Sequence, residues 1–243
     1  MLGRLSFAVP ADKLYPMSVP ATARVFSMSS KARLTERDLG RFSGSTLFER
    51  LARAVCLAGC LPRKELHEAW EMARRIRRRF RGGRIVDFAA GHGLLSHALL
   101  ILDDSSPGAL LVETAPPKSA ARLHAVLVEA WPRLAGRVTW ANRPLESVPL
   151  IAGDLVVSSH ACGGLTDLVL DSAATARARV AVLPCCQDLA LNQSGSLSGW
   201  VDKSLAVDVM RAVRLEQRGY HVWTQTIPAA ITPKNRLLLG EPL

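Results

Sequence analysis

The chain has 243 residues, of which 49% are hydrophobic, and it carries a formal net charge of +10. This length fits one α/β domain with an additional segment, and the apolar fraction is sufficient for a buried core. No apolar run is long enough to cross a bilayer, so we expect no membrane contact.

The charge and the cysteines are distributed unevenly along the chain. Residues 1–84 contain 18 basic and 7 acidic side chains, whereas residues 85–243 contain 13 and 14. This asymmetry is typical of a segment that binds a polyanion, and it also fits a solvated surface in an arginine-rich proteome. The five cysteines are odd in number and lack the spacing of a secreted disulfide framework, so we expect a reducing, cytoplasmic environment.

The first 83 residues divide into two predicted segments. Residues 1–42 show no sustained periodicity and are expected to form a mostly irregular N-terminal tail. Residues 43–83 are expected to form a basic helical extension. Its first helix follows an N-cap sequence at 43–46 and ends at Gly59, and its second begins near Pro62 and stops at Gly82.

From residue 84 the pattern alternates between strand and helix. The predicted strands are 84–88, 109–113, 137–141, 154–159, 179–184, 221–227 and 236–239. The predicted helices are 94–102, 118–131, 165–176 and 203–218. Such alternation predicts an α/β fold with a doubly wound, Rossmann-like sheet over residues 84–243. The last two strands have too short a connection for a parallel crossover, so we expect this pair to be antiparallel.

The turn after the first predicted strand has the composition of a nucleotide-binding site. The strand ends at Asp87, and the small residues Ala89, Gly91 and Gly93 follow before the next helix. Small residues let a ligand lie against the backbone, and the N–H groups that open the helix point towards it. The second predicted strand ends in another carboxylate, Glu113. This layout is typical of a nucleotide-binding βαβ unit.

These features together resemble a known family. Five alternating βα units, a closing antiparallel hairpin and the pattern D-x-A-x-G-x-G resemble class I S-adenosylmethionine-dependent methyltransferases over residues 84–242. The segments His160-Ala-Cys-Gly-Gly-Leu-Thr-Asp and Pro184-Cys-Cys resemble a subgroup that includes tRNA 2′-O-methyltransferases of the acceptor stem. Ala89 departs from the glycine usual in the superfamily. The chain also lacks the Cys/His zinc motifs that the tRNA enzymes carry outside this domain, which leaves the acceptor open.

The resemblance implies S-adenosylmethionine as the cofactor and assigns roles around it. Asp87 would lie near the cofactor's amino-acid part; alternatively, it caps the turn through backbone N–H groups. Glu113 would accept the ribose hydroxyl protons, or it is a solvated glutamate at a strand end. Asn142 would pair with the adenine edge, or it is an ordinary turn residue.

The acceptor side is expected after the fourth and fifth strands. His160 and Cys162 are the candidate catalytic pair. His160 is suited to take a proton from an oxygen acceptor; alternatively, it buttresses the turn through hydrogen bonds. Cys185 and Cys186 are expected to converge with them at the substrate pocket. The cluster could bind zinc or pack around the acceptor; we expect packing and no metal, because no C-x-x-C pair is present. His97 and His124 are expected to be surface or packing residues.

The second predicted helix is the clue to the substrate. One face is apolar, and six arginines crowd the remaining surface: Arg74, Arg75, Arg77, Arg78, Arg79 and Arg81. Arg75, Arg78 and Arg79 are the candidate contacts to RNA or another polyanion. The alternative is a solvated face paired with the glutamates of the first turns, but these glutamates leave the last turns uncompensated.

The sequence therefore predicts a methyltransferase that modifies a nucleotide in tRNA or rRNA. A small-molecule methyltransferase and a non-catalytic cofactor-binding or RNA-binding module are the alternatives. A nicotinamide dehydrogenase is disfavoured, because Ser96 stands where the dinucleotide fingerprint has its third glycine.

Overall fold

The protein is built around a seven-stranded sheet with helices on both faces. A computed structural model describes residues 26–184, 187 and 194–243. The strands are β1 (Ile85–Phe88), β2 (Ala109–Val112), β3 (Val138–Ala141), β4 (Leu155–Ser158), β5 (Arg179–Val182), β6 (Tyr220–Thr226) and β7 (Arg236–Pro242). The helices are α1 (Leu47–Ala58), α2 (Arg63–Arg79), α3 (Leu94–Leu102), α4 (Ala120–Ala130), α5 (Gly164–Thr175) and α6 (Lys203–Gln217).

The sheet has the order β3-β2-β1-β4-β5-β7-β6. Strands β1 to β5 are parallel, and β7 lies antiparallel between β5 and β6. The predicted seven-stranded, doubly wound sheet with an antiparallel last pair is confirmed. Because β1 pairs with both β2 and β4, the strand order reverses here, and a crevice forms at the carboxyl ends of these strands.

The strands are apolar because helices cover both faces of the sheet. Alternate residues enter two hydrophobic clusters: Ile85 and Leu155 face the side of α1 to α4, whereas Val86 and Val156 face the side of α5 and α6. This alternation points Asp87 towards the α3 side, beneath the turn that follows β1.

Two helices precede the sheet and share its core. Helix α1 begins at Thr46, whose hydroxyl accepts the Glu49 N–H at 3.2 Å, and it ends at Gly59 in the left-handed conformation with φ 62°. Helix α1 packs against α4, and α2 packs against α3. Buried side chains of both helices therefore belong to the same cluster as strands β1 and β4.

The described part of the predicted N-terminal tail, residues 26–42, also packs on these helices. Leu34 and Phe42 are buried in the core, and the Leu34 N–H donates to the Leu61 carbonyl at 2.9 Å. The Arg63 guanidinium lies 3.5 Å from the centre of the Phe26 ring. Apolar side chains thus anchor this segment although it lacks a regular period; residues 1–25 lie outside the described residues. Among the helices of the described residues, none is both long enough and apolar enough to cross a membrane.

Candidate active site

The turn after β1 is held in a conformation that exposes its backbone. Ala89, Gly91 and Gly93 all have positive φ, at 53°, 54° and 76°. A Cβ added to Gly93 would lie 2.0 Å from Leu111 Cδ2, so only glycine fits there. Ala89 carries a Cβ in a region that L-residues rarely occupy and glycine adopts readily.

Asp87 lies directly beneath this turn. It is 1% exposed, and the Ser96 hydroxyl donates to its Oδ2 at 2.8 Å. Its Oδ1 is buried and has no hydrogen-bond partner among the described residues. Burial raises the pKa of Asp87 to about 7, and the nearby Glu113 charge adds to this effect, whereas the Ser96 hydrogen bonds oppose it. A buried acceptor without a donor is the arrangement that a ligand ammonium would complete.

Ser96 therefore has a role that the sequence analysis did not identify. In the sequence, Ser96 stands out only as the residue that replaces a glycine of the dinucleotide fingerprint. In the structure, its fully buried hydroxyl orients the Asp87 carboxyl group.

Glu113 and Asn142 lie beside the same turn, at the ends of β2 and β3. One Glu113 carboxylate oxygen accepts the Gly91 N–H at 3.2 Å, so this side chain reaches over the turn. Asn142 immediately follows β3 and is exposed. The structure thus brings both residues to the edge where the sequence analysis expects the cofactor.

His160 faces the turn from the loop after β4. A Cβ added to Gly91 would lie 3.7 Å from His160 Cδ2. The Ser158 hydroxyl connects the two strands, since it donates to the Phe88 carbonyl at 2.6 Å and accepts the Ala161 N–H at 3.1 Å. These bonds fix the start of the His160 loop against the end of β1.

The surroundings of His160 favour its neutral form. His160 keeps solvent-exposed surface, but nearby protein atoms displace much of the water around it. This desolvation lowers the pKa of His160, the positive charges of Lys64 and His92 lower it further, and Glu113 opposes them. A neutral imidazole is able to accept a proton. Because Lys64 belongs to α2, the helical segment contributes a charge that acts on His160. The Lys64 ammonium also forms an ion pair with Glu68 at 3.1 Å.

Two further histidines support the turn from below. His97 is fully buried, and its Nδ1 donates to the Gly93 carbonyl at 2.7 Å. Because a carbonyl only accepts, the neutral His97 accepts at Nε2 from His124 Nδ1, at 3.0 Å. Burial lowers the pKa of His97 to about 4, so this residue is uncharged at neutral pH. In the sequence, His97 and His124 are interpreted as surface or packing residues. The hydrogen bonds that join them to each other and to Gly93 are not apparent there.

The cysteines of the predicted acceptor pocket are only partly described. Cys162 is exposed in the His160 loop. Cys185 and Cys186 lie outside the described residues. No group of three or more metal-ligating side chains occurs within residues 26–184, 187 and 194–243.

The basic helix requires a correction. Arg77 is buried: it donates to the Leu99 carbonyl at 3.1 Å and to the Ser106 hydroxyl at 2.9 Å, and it forms an ion pair with Asp103 at 3.6 Å. Arg81 pairs with the same Asp103 at 3.1 Å. The charges of Arg77 and Arg81 are therefore compensated, and their acidic partner comes from the segment after α3 and not from α2 itself.

The three candidate polyanion contacts differ from one another. Arg75 forms an ion pair with Glu71, whereas Arg78 and Arg79 are exposed. The Arg79 guanidinium lies 4.4 Å from the centre of the Trp223 ring. These residues lie in the last turns of α2, at the end of the sheet opposite to His160. With a rise of about 1.5 Å per residue, Arg78 lies roughly 20 Å along the helix axis from Lys64.

Neither a scan against protein-family models nor a sequence search of curated proteins finds a match. Among solved structures, an O-methyltransferase family protein from Burkholderia thailandensis superposes with a TM-score of 0.50 and 17% identity, over 88% of this chain and 65% of that chain. The chain has the class I methyltransferase fold. It spans about two thirds of the length of this neighbour.

Two other solved structures match less well. The mitomycin 7-O-methyltransferase MmcR has a TM-score of 0.49 and 18% identity, over 86% of this chain and 64% of that chain. A B. subtilis tRNA methyltransferase, TrmK, has a TM-score of 0.45 and 12% identity, over 71% and 65%.

Proposed function

We propose that this protein is an S-adenosylmethionine-dependent methyltransferase. The observation that carries the proposal is the crevice at the carboxyl ends of β1 and β2. There, the buried Oδ1 of Asp87 has no hydrogen-bond partner among the described residues, and it lies beneath the turn that contains Gly91 and Gly93. The cofactor carries an ammonium group, which fits the buried carboxyl group of Asp87. Its ribose fits the carboxylate of Glu113. The fold neighbour from Burkholderia thailandensis, named as an O-methyltransferase family protein, supports the same reaction class.

Different residues would have different roles in methyl transfer: some would position the reactants, and one would accept the acceptor's proton. When bound, the cofactor supplies an electrophilic methyl group on a sulfonium, and the sulfur keeps the electron pair of the broken C–S bond. The Gly91 turn would hold the methyl group opposite the acceptor, since catalysis depends mainly on an in-line approach at short range. His160 would take the acceptor's O–H or N–H proton on its neutral ring. Ser158 and Thr166 hold the loop that presents His160.

We propose RNA as the class of acceptor. Its support is the basic character of residues 1–84 and the two exposed arginines Arg78 and Arg79, together with Lys64, whose charge acts on His160. RNA that occupies both places would span roughly 20 Å, or about seven nucleotides at ~3 Å per stacked nucleotide. The ion pairs of Arg74, Arg75 and Arg77 favour the second candidate, a small-molecule acceptor, because they reduce the charge available to a polyanion.

A transfer assay with isotopically labelled cofactor tests the reaction. Total RNA and a pool of small metabolites serve as separate acceptors, and calorimetry measures the affinity for S-adenosylhomocysteine. The His160→Gln variant is expected to lose ~10²–10⁴-fold in turnover while its affinity for the product cofactor changes less than about twofold. Cys162→Ser separates the second candidate catalytic residue from the first. Cofactor binding without transfer to either pool would indicate a non-catalytic module.

Salt dependence distinguishes the two acceptor classes. In the double variant Arg78→Gln with Arg79→Gln, the slope of log affinity for RNA against log salt should fall by roughly 1.4–1.8, because two phosphate contacts are lost. Arg74→Gln is the matched control on the same helix, since Arg74 is already paired with Glu71 at 3.0 Å. If the wild-type protein fails to bind RNA at low salt, the RNA proposal is refuted and the result favours the small-molecule candidate.

A further inference from the structure

Arg211 of α6 is a charged side chain in the interior of the protein. Its guanidinium is fully buried and donates from Nε and Nη2 to the two Asp167 carboxylate oxygens, at 3.1 and 2.9 Å. Nη1 donates to Asp208 at 3.1 Å. Nη2 also donates to the Gly163 carbonyl at 2.9 Å. A buried charge persists only when it is paired and hydrogen-bonded, and this one meets both conditions.

The contact with Gly163 reaches the loop that carries His160 and Cys162. Gly163 has φ 58° and ψ −129°, a conformation that glycine adopts readily and other residues avoid, and it is the residue from which α5 begins. The hydroxyl of Thr166 donates to the Ala161 carbonyl at 2.6 Å. Thr166 thus holds the loop directly from its C-terminal side, and Asp167 holds it through Arg211.

Asp208 extends the same network to two other segments. Its carboxylate accepts from Gln187 Nε2 at 3.0 Å and from Arg236 Nε at 2.7 Å. Gln187 follows β5, and its Oε1 accepts from Lys234 Nζ at 3.3 Å, in the connection between β6 and β7. Three connections at the carboxyl end of the sheet are therefore bonded to one buried group of charges.

We propose that Arg211 is a positioning residue that sets the loop 159–163, and with it His160, relative to the cofactor turn. The proposal rests on methyl transfer at His160 as proposed above. Arg211 reaches this loop through its hydrogen bond to the Gly163 carbonyl, so it acts through the Gly163 peptide. The planar guanidinium bonds the two Asp167 oxygens, the Asp208 carboxylate and the Gly163 carbonyl together, which a lysine ammonium with three donors is unable to do.

Amide hydrogen exchange tests this role without any dependence on activity. In Arg211→Lys, the amides of residues 158–167 are expected to lose about tenfold or more of their protection, because a charge-assisted hydrogen bond is lost. The amides of α3 (Leu94–Leu102) should change less than about twofold. Turnover should fall about tenfold or more, while the Kd of S-adenosylhomocysteine stays within about twofold.

Arg214→Gln is the matched control on the same helix. Arg214 also pairs with Asp167, at 2.7 Å, but its side chain is 38% exposed and no bond to Gly163 involves it. This variant should keep loop protection and turnover within about threefold of wild type. If Arg211→Lys does not fold, the charge-neutral double variant Arg211→Met with Asp208→Asn replaces it, and the same loss of loop protection is expected.

The outcomes separate the two proposals. Unchanged loop protection in the Arg211 variants, equal losses in the loop and in α3, or an equal effect of Arg214→Gln would each refute the positioning role. Loss of loop protection confirms it even if the wild-type protein transfers no methyl group, which is the result that would instead refute the proposed function.

Discussion

Cofactor affinity should depend on pH through Asp87. The buried carboxyl group has a pKa of about 7, and only its ionised form is able to pair with the cofactor ammonium. Binding the ligand then requires loss of the proton, so affinity rises with pH up to about 7 and levels off above it. With this pKa, the apparent Kd for S-adenosylhomocysteine should be about tenfold higher at pH 6 than at pH 8, and about a hundredfold higher at pH 5.

Isothermal titration calorimetry measures both the affinity and the linked proton. Titrations in buffers of different ionisation enthalpy should show release of about 0.9 proton per cofactor bound at pH 6 and about 0.1 at pH 8. The raised pKa of Asp87 also affects the stability of the unliganded protein, but here the favourable contribution falls as the pH rises. Because the folded-state pKa of Asp87 is raised, its contribution to stability is fully present below about pH 4 and is lost as the pH rises through 7.

Three variants identify the titrating group. Asp87→Asn should bind the ligand more weakly and without pH dependence. His92→Gln and His160→Gln should keep the wild-type dependence, although these two histidines have lowered pKa values and stand beside the turn. A wild-type affinity that is constant between pH 5 and pH 8, or a slope that survives in Asp87→Asn, would refute the assignment.

Three further predictions follow from local geometry. Ala89→Gly should raise the free energy of unfolding by about 0.5–1 kcal/mol, since it removes ~1–2 kcal/mol of left-handed strain and costs ~0.4–1 kcal/mol of unfolded-state entropy. The control Ala90→Gly, at the neighbouring position without such strain, should lower the free energy of unfolding. Equal effects of the two variants in thermal melts would contradict the strain at Ala89. Gly93→Ala should destabilise by ~2–5 kcal/mol through its contact with Leu111, and a double-mutant cycle with Leu111→Ala should show at least about 1 kcal/mol of coupling. Burial raises the pKa of the Cys56 thiol to about 11, so maleimide should label this residue only after unfolding; rapid labelling at Cys56 itself in the folded protein at pH 7, located by peptide mapping, would contradict its burial.

The sequence by itself determined the sheet and the edge at which the candidate cofactor residues lie. Alternating strand and helix patterns predict parallel strands, and parallel strands bring Asp87, Glu113 and His160 to one edge because their carboxyl ends coincide. The glycines of the turn are visible in the sequence because their positive φ leaves little choice of residue. These features depend on local pattern, so they are readable without the tertiary structure.

The tertiary structure decided which charges are available and which are buried. Arg77 looks like a surface residue in the sequence, yet it meets Asp103, 26 positions later, inside the protein. Arg211 shares a helical spacing with the buried Val207 and Leu215, which is a signal of a buried charge, but its partners Gly163 and Asp167 lie 48 and 44 positions away. Such pairs form only when helices from distant parts of the chain pack face to face, and no local pattern encodes that packing.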